Sequence, residues 1–235
     1  MFTIAHLSDP HLNPLPAFGW RQVMNKRVAG YANWLRSRRT AHNMAVLAAL
    51  VADMCRHNPD HVAMTGDATH LGLPQEFATA IPFMESLGVR DHVSFVPGNH
   101  DAYLSESLAA CQHHLGAWMM SDDGATGFPW LKIRGPVAII GMNSAVPTAP
   151  FMATGEAGQE QIDRTDLLLH YAKSRGLKRV ILIHHVPYIG GSMPGRHMTD
   201  AAAFEAMLAR AGADLVLHGH NHATSVAHRA GPEGL

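Results

Sequence analysis

Short apolar runs alternate with longer helical patterns along most of the chain. The short runs predict strands, whereas apolar residues spaced three or four apart predict helices with one buried face. Because a helix follows each predicted strand, the connections are crossovers, which indicates a largely parallel or mixed sheet covered by helices. The predicted strands cover residues 2–8, 61–65, 92–96, 137–142, 179–183 and 214–218, and the predicted helices cover about 40–57, 74–88, 102–120, 156–175 and 200–211.

Polar side chains directly follow five of these predicted strands. Ligands of open α/β sheets bind beyond the carboxyl ends of the strands, so we expect these side chains to converge on one crevice. Each motif alone is a weak signal, since Gly, Asn and Asp are ordinary turn residues. The motifs are SDPH (Asp9, His11), TGDATH (Asp67), PGNHD (Asn99, His100), IHHVP (His184) and HGHNH (His220, His222).

The combined donor set points to transition-metal ions. It holds two Asp, one Asn and four His without any thiolate, which suits Mn, Fe, Zn or Co and argues against Cu(I) or a structural zinc site. Residues two apart in extended chain point the same way, so Asp9 and His11 can face one centre, as can His220 and His222. Seven donors are too many for one tetrahedral ion, but they suit two ions that share a bridging carboxylate.

Composition narrows the class of protein further. A hydrophobic content of 47% and a charged content of 16% describe a globular chain, and 235 residues suit one domain. The net charge of −1 provides no electrostatic case for a nucleic-acid partner. The 18 histidines equal the lysines and arginines together, which is a pool large enough to furnish a metal site.

Cysteine usage and hydropathy predict a soluble cytoplasmic protein. Cys55 and Cys111 are isolated and form no CxxC pair, which argues against a disulfide framework and fits a reducing compartment. The amino terminus lacks the features of a signal peptide. The longest apolar helical run, MAVLAALVADM, is broken by Asp53 and is too short for a membrane span.

The ordered series DxH, GDx, GNHD, HH near a proline and GHxH resembles the signature of the calcineurin-like metallophosphoesterase superfamily. It extends from Asp9 to His222, nearly the whole chain. The resemblance implies a single domain over residues 1–235, folded as a four-layer α/β/β/α sandwich of two mixed β-sheets flanked by helices. The chain ends thirteen residues after His222, before further strands of the second sheet, so this C-terminal part is expected to be incomplete.

The resemblance also implies a role for each motif residue. Two divalent or mixed-valence ions of Mn, Fe or Zn would be bound, and Asp67 would bridge them. His100 resembles the residue that contacts the phosphoryl group and assists the leaving group, so His100 and Asp67 are the predicted catalytic residues. The first ion would take Asp9, His11 and His222, and the second would take Asn99, His184 and His220.

Within the superfamily, the chain looks most like the bacterial class III cyclic-nucleotide phosphodiesterases. It departs from them at Val186, which separates the paired histidines from Pro187, and at His70, where relatives often have Asp or Asn. A phosphodiesterase that uses a hydroxide held between two ions is therefore the leading hypothesis. A phosphomonoesterase, or a pyrophosphohydrolase for a nucleotide-linked or lipid-linked substrate, comes second. A non-catalytic scaffold comes third, because all seven ligands and His100 are present.

Residues 13–39 are predicted to form a basic helical insertion or cap. Its aromatic and apolar residues fall near helical spacing, and no acidic residue occurs between Pro10 and Ala52. Three interpretations are open: a solvated basic face, a cap that attracts a phosphorylated substrate, or a helix that contacts an anionic membrane. The basic residues are Arg21, Lys26, Arg27, Arg36, Arg38 and Arg39.

Overall fold

The computed structural model describes residues 1–232, and its strands form two sheets. The first sheet has the order β1-β2-β3 and is parallel throughout. The second has the order β4-β5-β6-β7, in which β4 pairs antiparallel with β5 and the other pairs are parallel. The strands are β1 Ile4–Leu7, β2 His61–Met64, β3 Val93–Phe95, β4 Trp130–Arg134, β5 Val137–Gly141, β6 Lys178–Leu182 and β7 Leu215–Leu217.

All five predicted helices are confirmed, and two of them begin at ordinary start signals. Asn43 caps the third helix, because its side-chain oxygen accepts hydrogen bonds from the backbone N–H groups of Ala45 and Val46. Pro74 occupies the first turn of the fourth helix, where its missing N–H costs nothing. The helices are α1 Arg27–Asn33, α2 Arg39–Ala41, α3 Met44–Arg56, α4 Pro74–Ser86, α5 Ser105–Leu115, α6 Gln159–Ser174 and α7 Ala201–Ala211, with a π-helical turn Trp34–Arg38 between α1 and α2.

Alternate residues of β6 belong to two different hydrophobic cores. Val180 and Leu182 pack in the core that contains the first sheet, α4 and α5. Ile181 packs in the other core, with Leu169 of α6 and Phe204 of α7. Because neighbouring residues of a strand face opposite sides, the second sheet is covered by the first sheet on one face and by helices on the other. This arrangement confirms the predicted sandwich of two sheets flanked by helices.

Strand β4 is an element that the hydrophobic pattern did not predict. In this strand the expected alternation of buried apolar and exposed polar residues fails at Lys132, because this charged side chain is buried. The Lys132 ammonium donates hydrogen bonds to the carbonyl oxygens of Val93 and Trp118, each at 3.1 Å. Those bonds offset the cost of burying a charge, so a lysine occupies a position where a sequence pattern expects an apolar residue.

Within residues 13–39, regular α-helix begins only at Arg27. The Arg27 side chain is 2% exposed and pairs with Glu106 at 2.8 Å. It also donates hydrogen bonds to the carbonyl oxygens of Leu71 and Gly72 and to the Ser107 hydroxyl. Arg27 is therefore a buried anchor of the segment and does not belong to a solvated basic face.

None of the helices within residues 1–232 combines the length and apolar character that crossing a membrane requires.

Candidate metal centre

The seven predicted metal ligands follow the carboxyl ends of β1, β2, β3, β6 and β7. Hydrogen bonds hold the loops of the two sheets together at this point. The backbone N–H of Asp9 donates to the Gly66 carbonyl at 3.0 Å, within the first sheet. The backbone N–H of His220 donates to Oδ2 of Asp9, also at 3.0 Å, and this bond joins the β7 loop to the β1 loop. Both sheets therefore contribute side chains to one site.

Asp9, His11 and His222 form the first group of converging ligand atoms. These atoms and a carboxylate oxygen of Asp67 all lie within 4.8 Å of one another. Nε2 of His222 lies 3.3 Å from Oδ1 of Asp9 and 3.3 Å from Nε2 of His11. Carboxylate oxygens and imidazole nitrogens around a common point are a ligand set for first-row transition metals.

Asn99, His184 and His220 form the second group. Nε2 of His184 lies 3.2 Å from Oδ1 of Asn99 and 3.3 Å from Nδ1 of His220. The structure thus brings an amide oxygen and two imidazole nitrogens together from β3, β6 and β7. These are the same three residues that the resemblance to the superfamily assigns to a second ion.

Asp67 lies between the two groups. Its Oδ2 atom is 3.6 Å from Nε2 of His11 and 3.6 Å from Nε2 of His184. Its Oδ1 atom accepts a hydrogen bond from the backbone N–H of His100 at 2.8 Å, which holds the carboxylate in position. With the side chain only 2% exposed, Asp67 has the geometry of a bridging ligand.

Three of the four histidine ligands use their second ring nitrogen as a hydrogen-bond donor to a backbone carbonyl. Nδ1 of His11 pairs with the Thr69 carbonyl at 2.9 Å, and Nδ1 of His184 pairs with the Thr65 carbonyl at 2.7 Å. Nε2 of His220 pairs with the Arg196 carbonyl at 2.8 Å. A carbonyl can only accept, so each remaining nitrogen presents a lone pair to the centre of the site. Metal-binding histidines are oriented in this way.

The charges at the site also suit metal ions. Burial, together with the nearby Asp9 and Asp101 carboxylates, raises the pKa of Asp67 to about 7, although the charge of His184 opposes this shift. Oδ1 of Asp9 is buried and accepts no well-aligned hydrogen bond from the described residues. A bound cation would stabilise both carboxylates as anions. The residues present therefore fit a pair of metal ions.

The backbone at the site is held in an uncommon conformation. Non-glycine residues with positive φ are uncommon, and they are costly unless the surrounding structure holds them. Seven described residues of this kind occur, and five of them are predicted ligands. Strain is therefore concentrated at the site. The ligands concerned are Asp9 (φ 55°), His11 (40°), Asp67 (55°), His220 (74°) and His222 (51°).

Gly98 allows the β3 loop to approach Asp67. A Cβ atom at Gly98 would overlap Oδ1 of Asp67 and would lie 2.6 Å from the Asp67 backbone nitrogen. We expect Gly98→Ala to displace the bridging carboxylate and to lower metal content, as measured by elemental analysis. Gly116→Ala is the matched control, because a Cβ atom there meets nothing within 4 Å. Equal metal content in the two variants would contradict this role of Gly98.

The three polar residues of the GNHD turn have different roles. Asn99 joins the second ligand group, whereas Asp101 points into the protein and is completely buried. The Asp101 carboxylate accepts hydrogen bonds from the backbone N–H groups of Gly98 at 2.9 Å and Thr69 at 3.1 Å. Asp101 thereby fastens the β3 loop to the β2 loop.

His100 lies beside the ligand groups, and its ring is oriented from both sides. Its Nδ1 donates to the His70 carbonyl at 2.6 Å, so Nε2 carries the lone pair. Nη1 of Arg38 donates to that Nε2 at 2.8 Å. Burial, reinforced by the positive charge of Arg38, holds the pKa of His100 well below its ordinary value. His100 is therefore a neutral hydrogen-bond acceptor in this arrangement.

The motifs did not predict three residues that line the site. Arg38 contacts His100, and the ring centroid of His70 stacks 5.3 Å from that of His11. Ring nitrogens of His11, His42 and His222 lie within 4.8 Å of one another. Arg38 and His42 belong to the segment without acidic residues. The lack of acidic residues was the only feature of the sequence that pointed to them.

His185, although it follows His184 directly, does not reach the ligand groups. It is buried, and its Nδ1 lies 2.8 Å from the Ser144 hydroxyl. Its ring packs against His220, with centroids 4.4 Å apart. His185 therefore supports the predicted ligand His220 by packing against its ring.

The chain is similar to known proteins in sequence pattern and in fold. The chain matches the model of the calcineurin-like phosphoesterase family over residues 2–224. It resembles the crystal structure of a dimetal phosphatase from Danio rerio, with a TM-score of 0.57 and 15% identity, over 94% of this chain and 82% of that one. It also resembles the sulfate thiohydrolase SoxB from Thermus thermophilus, with a TM-score of 0.51 and 18% identity, over 95% of this chain and 48% of that one.

No curated protein sequence matches the chain. The two solved structures share the fold at low identity, whereas the family model matches nearly the whole chain, a range that contains all seven predicted ligands. The chain belongs to the calcineurin-like phosphoesterase family, and it is a metal-dependent hydrolase of phosphoric esters.

Proposed function

We propose that the protein hydrolyses a small phosphorylated molecule at a dinuclear metal centre, and that this molecule is in the first place a phosphodiester. The observation that carries the proposal is the position of Asp67 between two ligand groups, with one oxygen 3.6 Å from a histidine nitrogen of each. A bridging carboxylate between two N/O ligand groups is what a pair of catalytic ions requires.

The ions that we propose are Mn, Fe or Zn, because the donors are carboxylate, amide and imidazole without thiolate. When bound, such ions polarise phosphoryl oxygens and lower the pKa of a water ligand. The protein's own contribution is to orient the donors and to offer positive charge beside them. The oriented donors are Asp67, Asp9 and the histidines that are hydrogen-bonded to backbone carbonyls. The positive charge comes from Arg38, which His100 holds in position.

The phosphodiester preference rests on the resemblance to class III cyclic-nucleotide phosphodiesterases. A cavity of about 520 Å³ next to the His220–His222 loop would accept a leaving group of nucleoside size. Arg196 and Asn221 line this cavity together with the glycine-rich loop at 190–193. A nucleotide-linked or lipid-linked substrate fits this proposal, and nucleic acid does not, given the net charge of −1.

A phosphomonoester or pyrophosphate is the second candidate, and the observation that favours it is the charge of Arg38. No carboxylate lies within ion-pairing distance of this guanidinium among residues 1–232. A phosphomonoester dianion would compensate that charge better than a diester monoanion would. The two candidates therefore differ in the charge that the substrate brings to the site.

A hydrolysis panel tests the proposed function. Metal-reconstituted protein should be assayed against cyclic nucleotides, linear diesters, monoesters and nucleotide-sugar pyrophosphates, with chelator-treated protein as the control. We expect metal-dependent turnover, highest on a diester. Higher turnover of monoesters would favour the second candidate, and no turnover of any ester would favour a scaffold.

We also propose a cytoplasmic location, with the option of contact with an anionic membrane surface. Both cysteines are free, as in a reducing compartment. Trp20 and Met24 are 65% and 63% exposed, and Leu35 is 50% exposed. Exposed apolar side chains near basic ones support a surface contact of this kind.

A further inference from the structure

Arg38 is brought to the site by an irregular turn of the insertion. The turn Trp34–Arg38 is π-helical, a form that occurs often at functional sites. The turn directs the Arg38 guanidinium at His100, whose Nε2 lies 2.8 Å from Nη1. A residue 62 positions away in sequence thus reaches the GNHD turn.

The backbone around Arg38 is held by other residues. The Asn13 side-chain amide donates hydrogen bonds to the carbonyl oxygens of Arg38 at 3.3 Å and His42 at 3.2 Å. The Trp34 indole N–H donates to the Asn13 side-chain oxygen at 2.9 Å. These bonds hold the backbone of the insertion without help from the Arg38 side chain. The position of Arg38 is therefore fixed before any ligand binds.

Arg27 on the same insertion shows what a structural arginine looks like in this protein. Its guanidinium donates to three backbone carbonyls and to Glu106 and Ser107, so its donors are consumed within the protein. Arg38 has one partner, His100, among the described side chains and backbone groups. A guanidinium has five N–H donors, so most donors of Arg38 are left for another partner.

The charge around Arg38 indicates what that partner is. The carboxylates that act on its guanidinium are Asp67 and Asp9, which are also the proposed metal ligands. Arg196 adds a second positive charge from the loop that lines the neighbouring cavity. With two ions bound, the local charge would be positive and no carboxylate would remain for Arg38. The partner is therefore an anion.

We propose that Arg38 binds a non-bridging oxygen of the substrate's phosphoryl group, while His100 holds the guanidinium in position through Nε2. This assignment rests on the proposed function, because it places the phosphoryl group between Arg38 and the two ligand groups. Arginine suits the task, since its planar fork can donate two parallel hydrogen bonds to phosphoryl oxygens. The insertion is then a cap that takes part in substrate binding.

The test uses inorganic phosphate as the probe and the full-length, metal-reconstituted protein. Calorimetry would measure the phosphate Kd of the wild type, Arg38→Ala, Arg38→Lys and Arg39→Ala. Arg39 is the control, because it is the next residue and its side chain is exposed. Elemental analysis and circular dichroism of each variant would show that metals and fold are retained.

We expect Arg38→Ala to weaken phosphate binding by about 10- to 100-fold, the range for a lost hydrogen bond to a charged group. Its kcat/KM on the best ester should fall by about 100-fold or more, as expected for lost charge stabilisation. Arg38→Lys should recover part of the phosphate affinity, since it keeps the charge but loses the fork. Arg39→Ala should match the wild type in every measurement.

The two proposals fail in different ways. Phosphate affinity equal in Arg38→Ala and Arg39→Ala, with metals retained in both, would overturn the role of Arg38 while leaving the phosphoesterase intact. A wild type that binds phosphate through Arg38 but hydrolyses no ester would support the binding role and overturn the proposed function.

Discussion

Replacing Asp67 with alanine should reduce ester hydrolysis to background and lower the affinity for both metal ions. Asp67 is the one described residue whose carboxylate oxygen approaches a histidine nitrogen of each ligand group, at 3.6 Å in both cases. Without Asp67, the two cations would lose the anionic ligand that they share, and buried histidines would remain around them. Metal content after dialysis and kcat on the best ester are the measurements.

His11→Ala is the matched comparison, since His11 belongs to one ligand group. We expect it to weaken one ion strongly and to leave the other bound. Equal and mild losses in the Asp67 and His11 variants would show that the bridge has been assigned to the wrong residue.

A stability measurement separates lost metal binding from misfolding in the Asp67 variants. Without metals, burial raises the pKa of Asp67 from 3.8 to about 7. A raised carboxyl pKa means that the folded state binds the proton more tightly, so stability is lost as pH rises from about 4 towards 7. Asp67→Asn carries no titrating charge, and the metal-free variant should unfold at no lower temperature than the metal-free wild type at pH 8. A large drop would indicate misfolding.

Replacing His100 with alanine should lower kcat by about 10²- to 10³-fold, the range for lost charge stabilisation, with both metals retained. The resemblance to the superfamily predicts that His100 contacts the phosphoryl group and assists the leaving group. In the structure its Nε2 accepts a hydrogen bond from Arg38 and its Nδ1 donates to the His70 carbonyl. A neutral acceptor in this position favours orientation of Arg38 over donation of a proton.

The leaving group distinguishes these two roles of His100. If His100 orients Arg38, the loss should be similar for an alkyl ester and for a p-nitrophenyl ester. If His100 protonates the leaving oxygen, the loss should be much larger for the alkyl ester, because p-nitrophenolate needs little help. A loss restricted to the alkyl ester would contradict the orienting role, and loss of an ion would make His100 a ligand.

The candidate ligands could be picked out of the sequence because each follows a predicted strand, and the resemblance to the superfamily divided them into two groups. Asp9 with His11 and His220 with His222 are two residues apart, and Gly98 precedes Asn99 where the chain must approach Asp67. The predicted fold and the order of the motifs therefore supplied most of the candidate ligands. Strands β2, β3 and β5 were predictable because their apolar runs are buried along their whole length.

Contacts between distant segments could not be predicted in the same way. The carbonyl acceptors at Thr65, Thr69 and Arg196 belong to the backbone, so no side-chain pattern marks them. Arg38 and His100 are 62 residues apart, and Asn13, which hydrogen-bonds to the Arg38 carbonyl, is also distant in sequence. Strand β4 was missed because Lys132 is buried against carbonyls, which reverses the expected pattern.

The number of metal ions per chain tests the dinuclear centre most directly. Protein purified without chelator, or reconstituted with Mn, Fe or Zn after chelation, should be analysed by elemental mass spectrometry against protein concentration. Seven donors in two groups that share Asp67 predict two ions per chain, and Asp67→Ala should lose both. A stoichiometry near one in the saturated wild type, or near zero after reconstitution with each metal, would contradict the account.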